Sequence, residues 1–419
     1  MSLREDASLI IKDALRDALP DNAVRAALAK AKFGSGKLVL VAAGKAAWQM
    51  ASAAHAALEE AGCVVDHGVV VTKYDHSQGP IGNLAIYEAG HPVPDANSFK
   101  ATQAAIDAVE GLSAEDTVLF LLSGGGSALF EKPLIPAEDL TRLTKELLAC
   151  GADIVEMNTV RKRFSAVKGG RFAELAAPAK VFVIVLSDIL GDPLDMIASG
   201  PCYPDSSTSK DARAVVEKYH LTTTEQMKGL LQIETPKDLS NVETHITGSV
   251  KQLCRTASET AARLGYEPLV LTDQLTCTAR DAGVFLADIA KTYLSEEGFA
   301  NGKKIAVICG GETVVHLTGH GLGGRNQELA LAGCEGISGM KACLFSVGSD
   351  GTDGPTDAAG GIVDGETFGC LKKMNILVSD VLQDNDAYHA LEKVDGLIMT
   401  GPTGTNVNDL TVLLLDGTR

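Results

Sequence analysis

The stretch DTVLFLLSGGGS, residues 116–127, decides the fold. Its first part is an unbroken apolar run with no polar alternation. Such a run describes a strand covered on both faces, the kind found in parallel sheets. Three glycines follow at once, Gly124, Gly125 and Gly126, between Ser123 and Ser127. Backbone freed of side chains at the carboxyl end of a buried strand can approach a ligand closely.

The same grammar recurs on both sides. Residues 37–43 (KLVLVAA) run into Gly44-Lys45, and residues 68–72, 180–187, 268–272, 304–309 and 342–347 read as further buried strands. Helical patterns are predicted between them at 45–61, 97–110, 136–150, 249–264, 279–294 and 325–334. A first helix is expected around 9–19, ended by Pro20, and a hairpin-like stretch at 312–318. Strands alternating with helices give an α/β fold with largely parallel sheets. A chain of 419 residues exceeds what one core usually fills, so two α/β domains are expected. The polar segment 205–242, with Pro236, places the boundary near its end, giving domains 1–240 and 241–419.

The formal net charge of −17 argues against nucleic acid or an anionic membrane as partner. An anionic substrate must then be drawn in by a few local Lys, Arg and backbone N–H groups. The nine cysteines form no C-x-x-C pair, which suits reduced thiols of a cytoplasmic protein. The opening MSLREDASLIIKDAL lacks the apolar core of a signal peptide, and no run of 18 apolar residues suggests a membrane span. A homodimer is allowed for, with no residue assigned to it.

Six loops could carry chemistry. Ser123–Ser127 is a candidate anion site built of backbone N–H and hydroxyl groups, against a plain tight turn. Lys45 would open a helix, where a cation opposes the dipole unless it faces an anion. Residues 158–171 (NTVRKRFSAVKGGR) form the densest basic cluster, with Asn158, Arg161 and Lys162 as phosphate or substrate contacts; a solvated helix face is the competing reading. Asp188 ends the strand 180–187, where a carboxylate can hold Mg²⁺ or accept a proton. Glu312 follows Gly310-Gly311, and Arg325-Asn326 follows Gly323-Gly324; an Arg there can clamp a carboxylate with two parallel hydrogen bonds. Asp350 and Asp353 lie in SDGTDGPTD, suited to magnesium or a substrate hydroxyl, or else to an Asx-turn network. The chain has no Walker motif and no G-x-G-x-x-G after a strand. His91, in GHPVPD, stands alone in a turn and reads as structural.

Taken in order, AAGKAA, GHPVPD, SGGGSAL, MNTVRKRFSAVKGGR, SDILGDP with IASGP, GGET, GGRNQE and SVGSDGTDGPTDAAGG resemble the class II glycerate kinases. That family joins a glycerate-kinase N-terminal domain, Rossmann-like, to a C-terminal domain called MOFRL. The resemblance implies transfer of the γ-phosphoryl group of ATP to D-glycerate, giving 2-phosphoglycerate, in an interdomain cleft. It also implies that Lys45 and Arg325 serve that site. Asp188 and Asp350 would then hold Mg²⁺ or orient the hydroxyl, with ATP and glycerate as partners. The family has also carried the label hydroxypyruvate reductase, so an NAD(P)H-dependent reductase is the rival reading.

Overall fold

The computed structural model describes residues 2–186, 194–295, 302–401, 403 and 405–418. The chain separates into two compact units. One holds residues 23–186 and 194–247; the other holds 2–22 and 248–418.

The first unit is built on β1 (Leu38–Ala43), β2 (His67–Lys73), β3 (Leu84–Ala89), β4 (Thr117–Leu122), β5 (Lys180–Val185) and β6 (Val242–Ile246). Their order across the sheet is β3-β2-β1-β4-β5-β6, with every pair parallel. β1 and β4 are buried along their whole lengths, as their unbroken apolar sequences require. The chain winds outward from β1 to β3, then returns past β1 to start β4. This reversal opens a crevice at the carboxyl ends of β1 and β4, the usual ligand position in such sheets. A second, helical core gathers Leu140, Leu143, Leu147, Met157, Val160 and Phe164 with Ala212, Val215 and Met227.

The other unit contains β7 (Glu267–Leu275), β8 (Lys304–Gly311), β9 (Ala342–Gly348), β10 (Gly360–Asp364), β11 (Leu397–Ile398) and β12 (Asp409–Asp416). Their order is β11-β10-β9-β12-β8-β7. β7 and β8 pair in parallel, while β12 lies antiparallel between β8 and β9. Its first residue, Asp409, therefore sits opposite both Gly311 and Gly348, the last residues of β8 and β9. The helices Ala279–Tyr293 and Arg325–Gly333 cover the apolar face with Leu286, Ala290, Leu329 and Leu331.

Three expectations need adjustment. The polar segment 205–242 belongs wholly to the first unit: its helices Ser209–Lys218 and Glu225–Leu230 feed the helical core, and β6 then completes the first sheet against β5. The units consequently divide at 247/248 and not at 240/241. The first helix, Leu3–Asp17, belongs with the later unit: Tyr266 donates to Asp6 at 2.7 Å, and Thr260 and Arg263 both donate to Asp13. The hairpin expected at 312–318 does not form; Val314 makes only an isolated parallel bridge to Thr278.

Candidate functional site

The ends of β1 and β4 are joined through their backbones. The Lys45 N–H donates to the Gly124 carbonyl at 2.8 Å, and the Ala46 N–H donates to Ser123 Oγ at 3.1 Å. Gly44 turns at φ 129°, and a Cβ there would stand 2.2 Å from Ser123 Oγ. Only glycine fits that approach. Because the main chain does this joining, the Lys45 side chain is left for other work.

Gly125 adopts φ 83°, and a Cβ on it would fall 3.1 Å from Lys45 Cγ and from Cδ2 and Nε2 of His91. Lys45 and His91 therefore lie against the glycine loop from two directions. The end of β2 and the loop after it join them: Thr72 Oγ1 and His76 Nδ1 each stand 3.2 Å from the Lys45 carbonyl. Burial, then the charges of Lys45, Lys73 and His76, hold the His91 imidazole below its ordinary pKa. Lys45 from the end of β1 and His91 from the end of β3 thus meet beside the loop that follows β4, with His76 held on the Lys45 carbonyl. In a chain of net charge −17, Lys45 beside exposed glycine backbone is a local positive point at the end of the sheet.

Ser127 extends the site inward. Its Oγ lies 3.1 Å from Ser199 Oγ, which donates to Asn158 Oδ1 at 3.0 Å. Lys168 donates to the carbonyls of Ser127 and Phe130 and pairs with Glu131 at 2.7 Å. The basic cluster 158–171 is thereby split. Lys162, 1% exposed, turns inward to Asp205 at 3.0 Å, and Arg163 joins the same buried carboxylate at 3.3 Å. Arg171 donates to the carbonyls of Lys162 and Ser165. Arg161 is partly exposed, and its buried Nε has no hydrogen-bond partner among the described residues.

The later unit gathers its candidates around the start of β12. Arg325 opens the helix Arg325–Gly333 and forks onto Asp409, Nε to Oδ2 at 2.5 Å and Nη2 to Oδ1 at 3.0 Å. Its Nη1 reaches Glu312 at 3.0 Å, and Asn408 holds the other Glu312 oxygen at 3.2 Å. Burial works against the Arg325 charge, but the Asp409 carboxylate outweighs it and raises its pKa. A guanidinium carries five N–H donors, so a carboxylate ligand would have to use those that Asp409 and Glu312 leave. Asp353 accepts the backbone N–H groups of Asn326 and Gln327 at 3.1 and 2.9 Å, capping the same helix from a distant loop. Asn326 also donates its side-chain amide to Asp353 and accepts from Ser346 Oγ at 2.6 Å.

Asp350 is partly exposed and takes the Thr352 N–H on Oδ1 at 2.9 Å, the Asx turn named as the competing reading. Its other oxygen suits Mg²⁺, which needs one or two carboxylates together with phosphate oxygens. Asp188 lies outside the described residues. Among the described residues no group of three His, Cys, Asp or Glu is arranged for a metal ion.

His91, Lys73 and His76 were not foreseen as site residues. The alternating stretch LAIYEA was not read as β3, so His91 looked like a turn residue instead of one at a strand's carboxyl end.

Comparison with known proteins bears on the family and the fold. Residues 6–232 match a family described as a domain of unknown function, DUF4147, and residues 305–409 match the MOFRL family. A D-glycerate 2-kinase of Thermotoga maritima is 52% identical over 419 residues, 99% of each chain. A glycerate 2-kinase of Pyrococcus horikoshii is 38% identical, covering 100% of this chain and 99% of its own. A protein of Agrobacterium vitis, 38% identical over 91% of this chain, bears a provisional name of hydroxypyruvate reductase. The crystal structure of a glycerate kinase from T. maritima superposes with a TM-score of 0.93 at 51% identity over 99% of each chain. With both domain types in order and relatives matched from end to end, the chain belongs to the class II glycerate kinase family.

Proposed function

We propose that the chain transfers the γ-phosphoryl group of ATP to the 2-hydroxyl of D-glycerate, giving 2-phosphoglycerate. The observation that carries this reading is the placement of Lys45 and His91 against the glycine loop after β4, with His76 on the Lys45 carbonyl behind them. Phosphoryl transfer asks a protein chiefly for positioning and for neutralisation of charge spread over phosphate oxygens. A basic cluster beside exposed glycine backbone supplies both. The first N–H groups of the turn at Gly126–Leu129 have no intrahelical partner and can add donors.

In this reading Lys45 neutralises the transferring group, and the loop Ser123–Ser127 holds an anionic oxygen. Asn158 and Ser127 fix the inner wall, and Arg161 adds a charge near it. Arg325, backed by Asp409 and Glu312, presents its remaining N–H groups to the glycerate carboxylate. Asn326 and Asp353 set the helix that carries it. Asp350, with Asp188, would hold Mg²⁺, which supplies charge neutralisation between the phosphates. A cytoplasmic location is part of the proposal and agrees with nine free cysteines. No helix among the described residues is long and apolar enough to cross a membrane.

The test is glycerate-dependent ADP formation by the purified protein with ATP and Mg²⁺, run beside NADH and NADPH oxidation with hydroxypyruvate. ADP that requires both glycerate and Mg²⁺ supports the kinase, and phosphorus NMR of the product names the hydroxyl. Loss of reduced nicotinamide without ADP would replace it by the reductase.

A further inference from the structure

Resting on the phosphotransferase reading, we infer that His91 Nε2 takes the proton of the attacking substrate hydroxyl at the glycine loop. The placement of the ring carries this. His91 follows β3, yet its Cδ2 and Nε2 both stand 3.1 Å from the Cβ position of Gly125, so that edge of the ring faces the loop after β4. Lys45 Cγ reaches the same point from the end of β1 at the same 3.1 Å. The imidazole is half-buried, and neither ring nitrogen has a hydrogen-bond partner among the described residues. A polar ring brought against a ligand loop with no partner of its own is free to serve what binds there.

The surroundings favour the neutral ring that can accept a proton. Burial disfavours the charged ring first, and the positive charges of Lys45, Lys73 and His76 disfavour it further. The loop after β4 brings only glycines and serines. The carboxylate on its own loop, Asp95, is engaged by the Ser98 N–H at 3.0 Å and the Tyr74 hydroxyl at 2.7 Å, capping the next helix.

The step balances as follows. The hydroxyl oxygen bonds to the γ-phosphorus while the bond from that phosphorus to the bridging oxygen breaks, and ADP leaves with the electron pair. The hydroxyl proton moves to Nε2 and from there to water.

The experiment measures kcat and KM for glycerate from pH 5 to 9 in the wild type, His91→Asn and His91→Gln, with ATP and Mg²⁺. A lost general base usually costs about 10²–10⁴ in rate, and a fall in kcat of that size with KM little changed is expected. The wild type should lose rate on the acid side with a midpoint below the ordinary histidine value, and both variants should lack that limb. Histidine-selective NMR titration of His91 in the ligand-free wild type must give the midpoint of the acid limb in kcat/KM. A mismatch there overturns the assignment without any variant. A variant that keeps the acid limb, or that raises KM alone, also overturns it. If the wild type forms no glycerate-dependent ADP, the phosphotransferase reading fails first and the role of His91 with it.

Discussion

Two residues at the candidate site illustrate how differently a charge can be held. Lys45 contributes to the fold through its N–H and carbonyl, and its ammonium has no partner among the described residues. Lys45→Ala should therefore leave the melting temperature within a few degrees of wild type. Losing one such charge contact often lowers rate by about 10²–10³, so kcat should drop by that order. A rise in KM alone would make Lys45 a uniform binding contact. Arg325 is the opposite case, because Asp409 is buried and depends on its fork. Truncating one partner of a fully buried pair costs roughly 3–5 kcal/mol. With Arg325 a third exposed, a loss of about 2–3 kcal/mol is expected for Arg325→Ala by chemical denaturation. Adding Asp409→Asn should recover much of that loss, since the stranded charge is then gone. Activity lost in Arg325→Ala with no change in stability would show that the pairing matters less than the ligand contact. Kinetics of this variant therefore mean little until its folding is measured.

At the scale of the element, the helix Arg325–Gly333 has no capping side chain of its own; its N-cap is Gly324. Asp353 serves instead from the loop after β9. A Cβ on Gly324 would stand 2.3 Å from the Asp353 carboxyl carbon, so glycine is what lets that carboxylate in. Burial pushes Asp353 up to about 6. The sign follows from linkage. Between the ordinary carboxylate value near 4 and about 6, the unfolded chain has released this proton while the folded chain keeps it, so stability falls as pH rises. Asp353→Asn loses an acceptor and should cost about 1–2 kcal/mol, as a lost cap does. That cost should be largest near pH 4 and shrink toward pH 7. A cost that grows with pH would mean that the helix N–H donors outweigh burial and favour the ionised form.

The same element shows where the sequence is legible. Arg325 and its helix were readable from the glycine pair and the apolar pattern behind it. Asp409 was not, because β12 pairs antiparallel across residues more than sixty positions away from β9 and no local pattern reports that. The buried strands β1, β4, β5, β8 and β9 announced themselves by unbroken apolar runs. β3 and β6 did not, being edge strands with polar and exposed positions. Lys162 looked like a ligand contact in a basic run, yet its partner Asp205 lies more than forty residues away in a polar segment read only as preceding the domain boundary. Charge spacing along a chain cannot say which cation is neutralised from afar.

The largest-scale consequence concerns how the chain can be cut. Residues 2–22 travel with the unit formed by 248–418, and the first helix buries Ala7, Ile10, Ile11, Ala14 and Leu15. Arg4 also pairs with Asp364 and reaches the Asp395 carbonyl at 2.8 Å, and the Thr405 hydroxyl donates to the Ala18 carbonyl at 3.0 Å. Deleting a buried Ile or Leu side chain to Ala typically costs about 2–5 kcal/mol, and removing the whole helix face exceeds the roughly 5–15 kcal/mol of a normal domain's stability. A fragment of residues 248–419 should therefore aggregate or fold only with the first 22 residues supplied, for instance joined by a flexible linker. A fragment of 23–247 keeps all six strands of its sheet and its helical core and should unfold cooperatively in denaturant. Ending it at 240 removes β6 and exposes the β5 edge, so that shorter piece should be clearly less stable. Circular dichroism with urea titration of the three fragments checks this. Equal stability of 23–240 and 23–247 would mean that β6 contributes nothing. Independent folding of 248–419 would mean that the first helix is an accessory to its unit and not part of its core.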